Sequence, residues 1–320
     1  MLFYDPAVQH PRATAGDPPP ITARRVALPA AASTAASAAL IAGALTAQSA
    51  NVALRTADAV AVVAGSLCIG VAILIPWLSE RDRARAWTAT VTWAMLWVVS
   101  AMIGFVATAG ELVGKSPARV SAADYGALLH GTFLGQWGVV GVVCPIVLSV
   151  IAVDSARGGA GWHGSVVGAI AALGLVSGPV TGHLSLTGAG WVVISVHVIA
   201  AALWFGPLLA AAVLVRDSDT WTRILPRYSR LAFWCLVAVA MSGLGATIVR
   251  WATSDASTSY YALVVVKMAL LVTLGLGGRR LRRVWVRRDC PAAVSTRRAV
   301  TETLGMAAAV GVAAALAITP

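Results

Sequence analysis

The feature that most constrains the fold is a series of apolar segments, each with the roughly 20 residues that a helix needs to cross a bilayer. Only 12% of the residues are charged, and the mean hydropathy is +0.80. A water-soluble domain could not bury that much apolar surface. The predicted fold class is therefore all-α, a polytopic transmembrane helix bundle with about nine spans. The predicted spans cover residues 27–49, 57–78, 87–109, 126–153, 164–182, 191–215, 231–251, 261–278 and 299–318.

The amino-terminal region divides into a tail and a first span. Residues 1–26 are rich in proline and show no apolar periodicity, which predicts a disordered cytoplasmic tail before a transmembrane domain over 27–320. The first span also resembles a signal peptide, because Arg24 and Arg25 precede an alanine-rich run and Ala47-Gln48-Ser49-Ala50 resembles a cleavage site with small residues. Cleavage there would leave eight spans with the same orientation.

The basic residues predict how the chain is oriented. The net charge is +11, with 24 Lys and Arg against 13 Asp and Glu. These basic residues lie in short loops between spans, so the expected partner is the lipid bilayer and no nucleic acid is expected. Most of them fall in alternate loops, and the densest group lies at 279–298. The positive-inside rule then predicts a cytoplasmic amino terminus and an outer carboxyl terminus.

Ionisable side chains share a depth in the outer layer of this predicted bundle. His197 lies six residues after Trp191, which is about 9 Å below the outer boundary of the sixth span. Lys267 lies six residues after Tyr261, in a span of the same direction. Charged groups inside a membrane usually face a cavity or one another. The same layer is predicted to hold His183 at the end of the fifth span, His130 in the fourth and Asp58 at the start of the second.

Histidines at one depth suggest a metal site. Reduced copper favours imidazole and thioether ligands, and His183 with His197 is the best pair. The secondary candidates are His130, Met241 and Met268. Each has a plainer interpretation: a membrane histidine often only bonds a neighbouring helix, and methionines often only pack.

Three supporting residues and one inner ion pair complete the prediction. Lys267 either snorkels outward or pairs with Asp58. Trp204 shares a helix face with His197 but lies about 10 Å deeper, so it is interpreted as packing beneath the site. On the inner side, Glu302 is expected to form an ion pair with Arg227 or Arg230 that ties the last span to the seventh, with a cytoplasmic gate as the alternative.

Four motifs give the chain a family resemblance over about residues 164–319. In order, they are Gly182-His183, His197 with Trp204-Phe205-Gly206, Arg227 to Ala232, and Tyr260 to Lys267 followed by Arg279-Arg280, Arg297-Arg298 and Glu302. Together they resemble the membrane domain of the copper resistance protein D (CopD) family. One departure is Pro207, where a small residue is expected.

The resemblance implies a bacterial, above all actinobacterial, copper-handling protein of the plasma (inner) membrane. It implies a permease that moves copper, expected as Cu(I), inward for copper homeostasis or resistance, and no enzyme. Members of the family often work with a periplasmic copper-binding protein.

Two other functions compete with copper transport. The stretch from His197 to Gly206 also resembles the first span of HemJ-type protoporphyrinogen oxidases. On that interpretation, His130 with His197, or His183 with His197, would hold haem iron in a membrane oxidoreductase. A non-catalytic assembly or scaffold subunit, whose histidines only connect helices, is the third interpretation.

Overall fold

The structure, a computed structural model, confirms the all-α class. It describes residues 27, 30–38, 52–159, 161–181, 190–253, 258–285 and 292–317, which contain helices and turns but no strand. The tail, most of the first predicted span and His183 lie outside these residues, so what was predicted for them stays a prediction. The helices are α1 (30–38), α2 (Val52–Leu74), α3 (Glu80–Val113), α4 (Ala122–Gly131), α5 (Phe133–Ala156), α6 (Gly164–Ser177), α7 (Gly190–Leu214), α8 (Ser218–Thr253), α9 (Thr258–Trp285) and α10 (Ala292–Ala317).

Seven helices in the described part of the chain are long and apolar enough to cross a membrane. They are α2, α3, α5, α6 with the 3₁₀ turn that follows it, α7, α8 and α9. This supports a multi-pass membrane protein and leaves the count of nine spans open.

The helix α2 lies at the centre of the bundle, where it packs on α3, α7, α6 and α10. Small side chains allow this, because helices in a membrane approach closely where Gly, Ala and Ser meet. At the crossing of α2 and α7, Gly70 faces Gly206, and a methyl group on Gly206 would overlap the carbonyl oxygen of Ser66. The backbones of α2 and α7 therefore touch at this point.

The predicted fourth span starts too early. Residues 126–153 were predicted as one helix, but α4 ends at Gly131 and the spanning helix α5 begins at Phe133. Thr132 between them is extended (φ −132°, ψ 139°), and its hydroxyl accepts a hydrogen bond from the Gly135 amide at 3.0 Å. This N-cap starts a new helix, because it satisfies an amide that has no partner in the first turn. His130 therefore belongs to α4 and not to a spanning helix.

Several helices continue beyond their apolar spans. The loop predicted before residue 231 is helical, because α8 begins at Ser218 and includes Pro226. The guanidinium of Arg227 lies 5.4 Å from the centre of the Trp77 ring and donates to the Arg223 carbonyl at 3.0 Å. Arg279 lies 5.8 Å from the centre of the Phe233 ring. These contacts place the first half of α8, the turn after α2 and the last part of α9 near one another, at what we call the arginine-rich end.

Candidate functional site

His197 is the eighth residue of α7, about two turns from its start, in the half of that helix away from the arginine-rich end. Its side chain is half-buried and faces α8. Gly243 of α8 makes room for the ring: a methyl group on Gly243 would lie 3.5 Å from His197 Cε1. The imidazole is therefore set between helices within the span.

Ser242 of α8 fixes the orientation of this ring. Its Oγ lies 2.9 Å from His197 Nδ1 and 2.5 Å from the Ala238 carbonyl oxygen. A hydroxyl has one hydrogen, and the carbonyl can only accept, so Ser242 donates to Ala238 and accepts from His197. This assigns the proton to Nδ1 and leaves the lone pair of Nε2 free to accept.

Lys267 of α9 lies on the other side of the imidazole. Its Nζ is 3.3 Å from His197 Nε2, so the ammonium donates to the nitrogen that carries the lone pair. Lys267 is half-buried, and within the described part of the chain it takes no part in an ion pair with a carboxylate. The site thus combines one oriented imidazole with one positive charge that has no described counter-ion.

This arrangement offers a metal one well-prepared nitrogen ligand. A metal-binding histidine commonly donates its second ring N–H to a neighbouring oxygen, which orients the ring. Ser242 supplies that oxygen for His197. Among the residues that the structure describes, no three or more His, Cys, Asp or Glu side chains form a group that could hold a metal ion.

The other candidate ligands lie elsewhere or outside the described chain. His130 is exposed on α4, which packs on α5 and α3. Met241 and Met268 are on the surface of the bundle, where these residues are 64% and 41% exposed. His183 falls within 182–189, which the structure does not describe.

Of the supporting residues, the structure brings only Lys267 to His197. Asp58 lies against α3, where a methyl group on Gly104 would be 3.6 Å from its carboxylate oxygen. Trp204 is buried in the core below His197. Pro207 has no N–H to bond the carbonyl one turn earlier, and close to this gap the Trp204 carbonyl accepts a hydrogen bond from the Tyr228 hydroxyl at 2.9 Å.

The predicted inner ion pair stays a prediction. Glu302 is buried in α10, with 7% of its surface exposed. Arg227 and Arg230 are exposed on α8, and Arg227 lies over Trp77 as described above.

Sequence reasoning missed Ser242 and Gly243. Both sit in an apolar run between Met241 and Leu244, where a Ser-Gly pair usually indicates close helix packing. Their depth could have identified them, because they lie at the same height in α8 as His197 does in α7.

Comparison with known proteins identifies part of the chain. Residues 222–318 match the family model CopD, copper resistance protein D. Neither the curated proteins nor the solved structures contain a match. The matched part runs from α8 to the end of α10 and includes two of the three site residues, Ser242 and Lys267. The chain is therefore a multi-pass helical membrane protein whose residues 222–318 match the copper resistance protein D family.

Proposed function

We propose that this protein is a copper permease that moves copper into the cell and contributes to copper homeostasis or resistance. The observation that carries the proposal is the His197–Ser242–Lys267 site inside the span, with Ser242 and Lys267 within the CopD match. A half-buried imidazole whose second nitrogen is already bonded is a suitable ligand for reduced copper.

In this proposal, copper is the cargo and His197 Nε2 is its ligand within the membrane. One oriented nitrogen holds an ion less firmly than a closed set of ligands, which suits an ion that must move on. His183, which precedes α7 in the sequence, is the proposed first ligand. The ion then leaves toward the arginine-rich end. Energy comes from exchange or from the copper gradient, because the sequence has no ATP-binding motif.

The proposed direction rests on the distribution of positive charge. Arg223, Arg227 and Arg279 lie at the arginine-rich end, opposite the half of α7 that holds His197. If this end faces the cytoplasm, the positive-inside rule is satisfied and His197 lies in the outer half of the bilayer. The proposed membrane is the bacterial plasma membrane, with the amino terminus inside and the carboxyl terminus outside. A periplasmic copper-binding protein is the proposed donor.

Cellular copper accumulation tests this route. His197→Ala and His183→Ala are compared with the unchanged protein at equal expression, and both are expected to lower uptake. The matched control is His163→Ala, because His163 caps the start of α6 by bonding Ser165 and lies outside the proposed route. Unchanged uptake in both His197→Ala and His183→Ala would overturn the proposed route.

The absorption spectrum of the purified protein separates copper transport from the haem alternative. A copper permease is expected to be colourless with Cu(I) bound, because the ion has a filled d shell. A Soret band lost in His197→Ala would instead assign the site to haem and the protein to membrane oxidoreductases.

A further inference from the structure

Lys267 places a positive charge beside the nitrogen that we assign to copper. We propose that Lys267 makes this site select monovalent over divalent metal cations. The inference rests on the proposed function, since it concerns the same nitrogen, His197 Nε2. It adds the residue that sets which ion the site accepts.

The ammonium of Lys267 and an entering metal ion compete for the same nitrogen, His197 Nε2. Lys267 Nζ lies 3.3 Å from His197 Nε2, within hydrogen-bond distance of the nitrogen that a metal would bind. A metal bound to imidazole sits at about 2 Å from the nitrogen. Both cations cannot occupy that position, so an entering ion must displace the ammonium. The flexible four-carbon stem of lysine allows this, while the backbone of α9 keeps the charge close.

The displaced charge then acts on the bound ion. Within the described residues, no carboxylate pairs with Lys267, and Asp58 lies against Gly104 of α3. Coulomb repulsion is proportional to the charge of the ion, so a divalent ion is repelled twice as strongly as a monovalent one. At about 6 Å and an effective dielectric constant of about 20, each unit of charge on the metal lowers affinity roughly 100-fold.

Half-burial of Lys267 brings some screening, so the expected effect on selectivity is smaller than this limit. We expect the ratio of monovalent to divalent affinity to fall about 10- to 100-fold when the charge is removed. The ammonium also competes for Nε2, so its removal raises the affinity for both classes of ion. The affinity for divalent ions rises more than the affinity for monovalent ions.

The test measures Cu(I) and Zn(II) affinities of the full-length protein in lipid nanodiscs. Each metal is competed against a chromogenic chelator, and the Cu(I) measurement is anaerobic with a reductant. Lys267→Gln removes the charge at nearly constant length, and Lys267→Arg keeps it. Lys115→Gln removes one charge from the connection between α3 and α4 as a control for net charge. If Lys267→Gln does not fold, as judged by helix content and melting, Lys267→Leu takes its place.

Lys267→Gln is expected to tighten Zn(II) binding about 10- to 100-fold more than Cu(I) binding, while Lys267→Arg and Lys115→Gln keep the original ratio. An unchanged ratio in Lys267→Gln, with Cu(I) still bound at His197, overturns the inference and leaves the proposed function standing. Cu(I) binding that is absent from the unchanged protein, or indifferent to His197→Ala, overturns both.

Discussion

The contact between His197 and Lys267 joins two helices through their side chains. α9 packs on α10 and, less extensively, on α8, whereas His197 belongs to α7. Lys267 therefore reaches across to α7, where its Nζ lies 3.3 Å from His197 Nε2. Because a lysine side chain is flexible, this connection can open without moving a helix. The opposite side of the imidazole differs, because Ser242 is held on its own helix by the Ala238 carbonyl.

Removing the Ser242 hydroxyl should weaken copper binding. Ser242→Ala leaves Nδ1–H without its acceptor, so the ring loses its fixed orientation and its proton can move to Nε2. Loss of such an orienting partner typically lowers metal affinity about 10- to 100-fold. Competition with a Cu(I) chelator measures the change, and Ser242→Thr, which keeps the hydroxyl, should restore most of the affinity.

Ser195→Ala is the matched control for this prediction. Ser195 lies two residues before His197 on α7, and its hydroxyl donates to the Trp191 carbonyl of its own helix. Its removal should leave copper affinity unchanged. Equal affinities for Ser242→Ala and Ser195→Ala would show that the Ser242 contact does not orient the ligand.

The fold class could be predicted because membrane burial acts on whole segments. An apolar run of about 20 residues forms a helix in lipid, because a helix satisfies the backbone hydrogen bonds within the segment itself. Helix ends were less predictable, because local caps decide them. Thr132 separates α4 from α5 within an apolar stretch, and the polar residues from Ser218 onward extend α8 beyond its apolar part.

For the candidate site, only the depth of each residue in the membrane could be predicted. Counting residues along each span placed His197 and Lys267 at one height, and the structure brings them together. Which helices are neighbours depends on packing, and the sequence does not encode that in any simple period. Asp58 shows this, because it was a proposed partner of Lys267 but lies against α3. Ser242 was missed because its role depends on the side of α8 that faces α7.

Acid should loosen the connection between α3 and α4 at low pH. Lys115 Nζ lies 2.7 Å from Asp124 Oδ2, and this bond, with two bonds from Ser121, lowers the pKa of Asp124 from 3.8 to about 2. A carboxylate with a lowered pKa stabilises the folded arrangement above about pH 4, and that contribution is lost as the pH falls toward 2. Carboxyl-carbon NMR should show Asp124 titrating near pH 2, and Lys115→Gln should move the midpoint toward 3.8. The same midpoint in both proteins would contradict the assigned cause.

The crossing of α2 and α7 should not tolerate even one methyl group. In Gly206→Ala the new methyl overlaps the Ser66 carbonyl oxygen, which is backbone and cannot turn away as a side chain could. The helices must separate, and overpacking of this kind costs about 1–3 kcal/mol.

Gly277→Ala is the control, because a methyl group there has no neighbour within 4 Å. Alanine favours a helix over glycine by about 1 kcal/mol, so the control should melt at the same or a higher temperature. In one detergent, Gly206→Ala should thus melt at a lower temperature than the unchanged protein and Gly277→Ala should not. A Gly206→Ala protein as stable as the control would show that α2 and α7 do not touch at this point.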